Sequence, residues 1–190
     1  MPQDAPITHV AFLRGINVGG NRLIKMTELR RAFEALGLLK VQTLIASGNV
    51  AFAAPGMELE MLTHKIQDKL KKAFGHDIPV ILRTADQLRK MAASSPFKKV
   101  QVTPETRVYV TFLAKSTKAR LKIPYESQEM DFRILKTTNT EVFSVVDASK
   151  GSGTLESMAF IEKEFGKNVT TRNWNTINRM LEAIAPAPAK

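Results

Sequence analysis

The hydrophobic positions of this chain change period several times, and each change marks a boundary between elements. Residues 7–13 (Ile-Thr-His-Val-Ala-Phe-Leu) form a short, largely apolar run whose length and content predict a buried strand. A Gly/Asn-rich loop follows over residues 14–21. Leu29, Ala32, Phe33 and Leu36 then recur at helical spacing behind Thr27, and Gly37 supplies a C-terminal stop. Residues 41–46 and 50–53 predict two strands meeting at Ser47-Gly48-Asn49, where Gly and Asn tolerate positive φ. Leu59, Leu62, Ile66, Leu70 and Phe74 repeat at three and four residues, with lysines on the outer side and Gly75 at the end, which is the clearest amphipathic helix in the chain. Residues 78–83 add a strand. Strand, helix, strand, strand, helix, strand is the order of a ferredoxin-like split βαββαβ unit, an antiparallel sheet with two helices on one face.

The second half repeats the scheme more loosely. Residues 85–93 predict a helix, residues 107–113 a strand, and residues 132–135 and 142–146 a strand pair across 137–140. After the Gly151-Ser152-Gly153 loop, Leu155, Met158, Ile161 and Phe165 mark a helix, and Trp174, Ile177, Leu181 and Ile184 mark another, capped by Thr171 or Asn173. The reading is an α+β protein of two ferredoxin-like units packed together, over residues 5–84 and 85–185, with a disordered tail at 186–190.

Composition changes this picture mainly by exclusion. The 190 residues contain no cysteine, so a disulfide framework, thiolate metal sites and a Cys nucleophile are ruled out together. Three scattered histidines without ligand spacing leave no metal set, and no cofactor is expected. The sequence has neither a signal peptide pattern nor a run long enough to span a membrane, which predicts a cytoplasmic protein without a membrane partner. Oligomeric state is not legible.

The net charge of +10 is spread along the chain and favours phosphates, acidic surfaces or nucleic acid. Its densest patch holds Lys115, Lys118, Arg120 and Lys122, which suits a solvated turn or a nucleic-acid contact. RNA-binding and zinc-finger signatures are missing.

Three polar strings interrupt the core patterns. In the first, Arg14, Gly15, Asn17, Gly19, Gly20 and Asn21 lie between a strand and a helix, where main-chain N–H groups can hold an anion and Arg14 can bond a phosphate or carboxylate in two places. This is not a Walker loop, because Asn21-Arg22 stands where Lys-Ser/Thr would be needed, and its glycines do not have the Gly-x-Gly-x-x-Gly spacing of a dinucleotide fingerprint. A tight crossover held by its own asparagines explains the same residues. In the second, Ser47 and Asn49 flank Gly48; a hairpin turn accounts for them better than a catalytic serine, since the nucleophile-elbow pattern is lacking and no histidine is placed to serve as base. In the third, Arg172, Asn173, Trp174 and Asn175 offer a planar cation, amides and a stacking face at a helix start. Two plaits packed together would let this string approach the first loop, and helix capping with a core Trp is the structural alternative. Asp147 and Ser149 with the 151–153 loop suit a ligand contact but read better as a surface turn, and Glu58/Glu60 and Glu126/Glu129 read as exposed carboxylates.

Residues 11–20 (Ala-Phe-Leu-Arg-Gly-Ile-Asn-Val-Gly-Gly), 45–52 (Ile-Ala-Ser-Gly-Asn-Val-Ala-Phe), the Gly166 turn after a Phe-containing helix, and 170–176 (Thr-Thr-Arg-Asn-Trp-Asn-Thr) together closely resemble the bacterial "domain of unknown function 1697" family. The resemblance implies an α+β protein of two ferredoxin-like units and brings no established activity, cofactor or partner. From the residues, the expected role is to bind an anionic, phosphate-containing ligand such as a nucleotide or nucleic acid. An enzyme acting on a small phosphorylated or carboxylated metabolite, or a structural or interaction domain, remains the alternative.

Overall fold

The computed structural model describes residues 6–18, 23–46, 48–129, 131–151 and 153–185. The fold is mixed α+β, with two antiparallel sheets and, among the described residues, five α-helices. The chain divides into two compact units, Met1–Lys90 with Arg179–Lys190, and Met91–Asn178.

The first unit holds β1 (Ile7–Leu13), α1 (Met26–Glu34), β2 (Leu39–Leu44), β3 (Asn49–Ala54), α2 (Leu59–Phe74) and β4 (Val80–Thr84), and most of α3 (Ala85–Ala93). Its sheet runs β2-β3-β1-β4 with every neighbour antiparallel, so β1 is central. Alternation along the strands sends Ala11, Leu13, Val50, Phe52 and Leu82 to one face, where Leu29 and Phe33 of α1 and Leu62, Ile66 and Leu70 of α2 cover them. These are the apolar positions whose spacing predicts the two helices. Gly75 ends α2 at φ 77°, a left-handed conformation that costs a glycine little.

The second unit holds β5 (Thr106–Leu113), β6 (Tyr125–Glu126), β7 (Phe132–Thr137), β8 (Glu141–Asp147), a 3-10 turn (Ala148–Lys150), α4 (Gly153–Phe165), β9 (Val169–Asn173) and the start of α5 (Trp174–Ala183). The sheet order is β6-β7-β8-β5-β9.

One strand-pairing scheme is used twice. Val10-Ala11-Phe12-Leu13 of β1 corresponds to Val110-Thr111-Phe112-Leu113 of β5. Val10 pairs with Ala51 and Arg83, and Val110 pairs with Phe143 and Arg172. Where β1 ends, the Leu13 and Arg14 N–H groups donate to Gly48 and Pro79; where β5 ends, those of Leu113 and Ala114 donate to Thr140 and Asn168. Arg83 and Arg172 are both buried, and each donates Nη1 to the carbonyl of the residue before it at 2.9 Å. The residue after each arginine then caps a helix. The Thr84 hydroxyl accepts from Gln87 N–H, and the Asn173 carboxamide oxygen accepts from Asn175 N–H. The units differ after their central strands: α1 follows β1, whereas an irregular segment over residues 114–124 follows β5.

Four features depart from the sequence expectations. β9 occupies residues read as a loop entering a helix, because β-branched Val169, Thr170 and Thr171 find an open edge beside β5. The two-residue β6 was not anticipated. In α4, Leu155 is 74% exposed, and Gly153, Ser157, Ile161 and Phe165 form the buried stripe. In α5 the buried residue after Ile177 is Met180, with Leu181 only half-buried.

Candidate functional site

Two of the three polar strings are built as one structure inside the first unit. β1 ends at Leu13, and the loop after it turns through Gly15 at φ 68° and Asn17 at φ 54°. The Asn17 carboxamide braces this turn on two sides. Its nitrogen donates to the carbonyls of Ile24 (3.0 Å) and Ala46 (2.8 Å), while its oxygen accepts from Ile24 N–H at 2.7 Å. One side chain thereby ties the loop to its own exit and to the β2–β3 hairpin.

The hairpin is shaped around that brace. Ile45 sits at φ 60°, a strained conformation for a β-branched residue, next to the carbonyl that Asn17 engages. Gly48 has φ 78°, and a Cβ there would lie 2.8 Å from the Ile16 side chain and 2.9 Å from the Leu13 Cβ. Asn49 opens β3, is fully buried, and donates its amide to Leu44 O at 3.1 Å. Packing therefore accounts for Gly48 and Asn49. Arg14 is half-buried at this junction, Gly15 is exposed, and Val18 is exposed. Gly19, Gly20, Asn21 and Ser47 lie outside the described residues.

The third string belongs to the second unit. Arg172 is 8% exposed on β9, and its Nη1 donates to the Thr170 hydroxyl (2.8 Å) and Thr171 O (2.9 Å). Burial pushes its guanidinium pKa down to about 10. Asn173 acts as the cap of α5. Trp174 is half-buried, edge-on to Phe97 (5.1 Å between centroids) and Phe143 (6.5 Å), and Asn175 is exposed.

The three histidines are engaged elsewhere. His9 is buried, stacks on Phe52 at 5.6 Å and shares a hydrogen bond between Nδ1 and Ile7 O, and its burial lowers the imidazole pKa. His76 likewise meets Phe74 O, and His64 lies 4.0 Å from Glu60. The described residues of the loop–turn junction contribute one guanidinium and main-chain amides, with no carboxylate or imidazole, so they can bind and orient an anion but supply no general base. Among the described residues, no group of three or more His, Asp or Glu is arranged to hold a metal ion.

Two clefts lie apart from Arg14. In the second unit about 610 Å³ is lined by Glu105, Glu126, Asp131, Arg133, Asp147 and Ser149 among others. Asp131, which sequence reasoning did not single out, is buried there. It accepts from the Ser127 hydroxyl, and that bond above all holds its carboxyl below the usual range. Asp147 accepts from both Ser149 N–H and the Ser149 hydroxyl, the surface turn anticipated for it. In the first unit about 370 Å³ is lined by Thr8, Lys40, Gln42, Ala53 and Arg89 among others.

A family model described as "Protein of unknown function (DUF1697)" matches residues 7–143. No curated protein matches. Among solved structures, the chain is similar to the conserved bacterial protein SP0830 from Streptococcus pneumoniae, with a TM-score of 0.70 and 20% identity. The match covers 94% of this chain and 98% of that one. At this identity the likeness speaks for the fold.

Proposed function

The chain belongs to this family of unknown function, and on that premise we propose that it is an anion-binding domain whose ligand carries a phosphate, as a nucleotide does. The observation that carries the reading is the joining of two Gly/Asn/Arg strings, about thirty residues apart in sequence, by Asn17, which leaves the Arg14 side chain half-buried at their junction. A braced turn holds a guanidinium in place before ligand arrives, which lowers the ordering cost of a bidentate contact to phosphate. Asn17 and Asn49 act as braces in this account. The frame is read as two ferredoxin-like units, supported by the β2-β3-β1-β4 order and by the recurrence of its register in the second sheet. The setting is read as cytoplasmic, in keeping with a chain that has no cysteine. Among the described residues no helix is long and apolar enough to cross a membrane.

Thermal unfolding in the presence of inorganic phosphate, nucleotides and sugar phosphates tests the proposal. A true ligand at about one hundred times its Kd adds about 2.7 kcal/mol of stability. Arg14→Ala is expected to abolish that gain while the unliganded protein still folds, since the hydrogen bond from Arg14 N–H to Pro79 O survives the substitution. Unfolding of Arg14→Ala without ligand would instead make the residue a structural one.

A further inference from the structure

The segment that replaces a helix in the second unit carries the chain's densest positive charge, and its construction is specific. From Thr117 to Glu126 half-buried and exposed residues alternate without a break. Ala119, Leu121, Ile123 and Tyr125 pack on the cluster of Leu113, Ile134, Ile161 and Phe165. Lys118, Arg120 and Lys122 occupy the outward positions between them, and Lys115 is exposed ahead of them. The segment is also pinned. Ala114 N–H donates to Asn168 O (2.9 Å), Thr117 N–H to Asn139 O (2.8 Å) and Arg120 N–H to the Glu164 carboxylate (2.8 Å). Exposed Lys163 and Lys167 sit in sequence beside two of these anchors.

Three cations elsewhere are held in ion pairs: Arg30 with Glu34, Lys71 with Asp77, and Arg89 with Asp86. Among the described residues, Lys115, Lys118, Arg120, Lys122, Lys163 and Lys167 make no ion pair. A fixed ribbon whose apolar side chains all serve the core, and whose outward positions Lys118, Arg120 and Lys122 stand outside any ion pair, does not use those charges to hold itself in place. It suits a linear polyanion.

We propose that this ribbon, residues 115–122 with Lys163 and Lys167, is a docking surface for the phosphodiester backbone of nucleic acid. Phosphate contact by lysine and arginine releases counterions and is independent of base sequence. A membrane surface fits less well, since peripheral helices insert apolar side chains into the interface and those of the ribbon point inward. The site is separate from the junction at Arg14.

Fluorescence anisotropy with a labelled mixed-sequence 20-mer, single-stranded and duplex, tests this on the full chain. Wild type should bind with log Kobs falling steeply against log salt. The triple variant Lys118→Gln/Arg120→Gln/Lys122→Gln should bind roughly tenfold or more weakly at low salt and lose about 2–3 from that slope, at about 0.7–0.9 per phosphate contact. Its unfolding temperature should match wild type, as the three side chains are exposed. The variant Lys65→Gln/Lys69→Gln/Lys72→Gln on α2 removes equal charge and should bind as wild type does; equal loss in both triples would reduce the effect to net charge and overturn the proposal. Salt-independent binding, or binding to phosphatidylserine vesicles without binding to either oligonucleotide, would overturn it as well. Loss of oligonucleotide binding in Arg14→Ala with none in the ribbon triple would move the polyanion to the loop–turn junction, ending this proposal while sparing the other.

Discussion

Gly48 shows how tightly the loop–turn junction is specified at the level of single atoms. Its φ of 78° and the 2.8 Å approach of Ile16 to the place of a Cβ act together, so Gly48→Ala is expected to cost about 2–4 kcal/mol, read as a lower urea midpoint. From the sequence, glycine at a hairpin turn is predictable from φ alone. That the turn packs against Ile16 of a distant loop is not, since nothing in either string encodes their proximity. His9 makes a second prediction at this scale. Its pKa is lowered in the fold by burial, so the unfolded chain takes up its proton first as pH falls below about 6.5. Stability therefore declines with acidification through the window between 6.5 and the depressed folded value. His9→Phe, which keeps the stack on Phe52, should flatten that decline when urea midpoints at about pH 7.5 and about pH 5.5 are compared. Arg172 illustrates the opposite limit of legibility: as a letter in a polar string it looks like a ligand contact, and the fold places it in a buried strand, bonded to Thr170 and Thr171.

At the scale of elements, α2 was readable because its five apolar positions define one stripe and mostly polar residues, lysines among them, occupy the remaining positions. Helix α4 offered two overlapping stripes. Leu155 belongs to the one facing solvent, and Gly153, Ser157, Ile161 and Phe165 to the one facing β7, β8 and β9. Leu155→Ala should accordingly change stability by no more than about 0.5 kcal/mol, against about 2–5 kcal/mol for Ile161→Ala, in parallel denaturant titrations. Small residues decide which stripe is buried, and a hydrophobicity count undervalues them. β9 escaped sequence reading for a related reason. Val-Thr-Thr-Arg-Asn is polar for a strand, and it is extended because β5 offers a free edge and Thr111 and Thr171 join hydroxyls at 2.8 Å across it.

Across the whole molecule, the recurrence of one register in two sheets gives the departures meaning. Where the units agree, as in the Val-x-Phe-Leu central strands and the strand-end arginines, the residues answer to packing. Where they differ, residue choice is freer of that demand: Arg14 in the first unit stands where the second has Ala114, and a cationic ribbon in the second stands where the first has α1. The proposed anion site and the proposed polyanion surface are both such differences. A net charge of +10 favoured an anionic partner from the outset, but only the geometry separates matched cations from unmatched ones.

The sequence by itself determined the α+β class, most strands, the helices α1 and α2, and the residues of the first two polar strings. Period and glycine placement are local properties, and these elements depend on little else. Tertiary structure decided which stripe of α4 is buried, that β9 is a strand, that Asn17 joins two remote turns, and which charges stay unneutralised. Each of these is settled by a partner far along the chain, and the free energy of burial or pairing that selects it has no local signature.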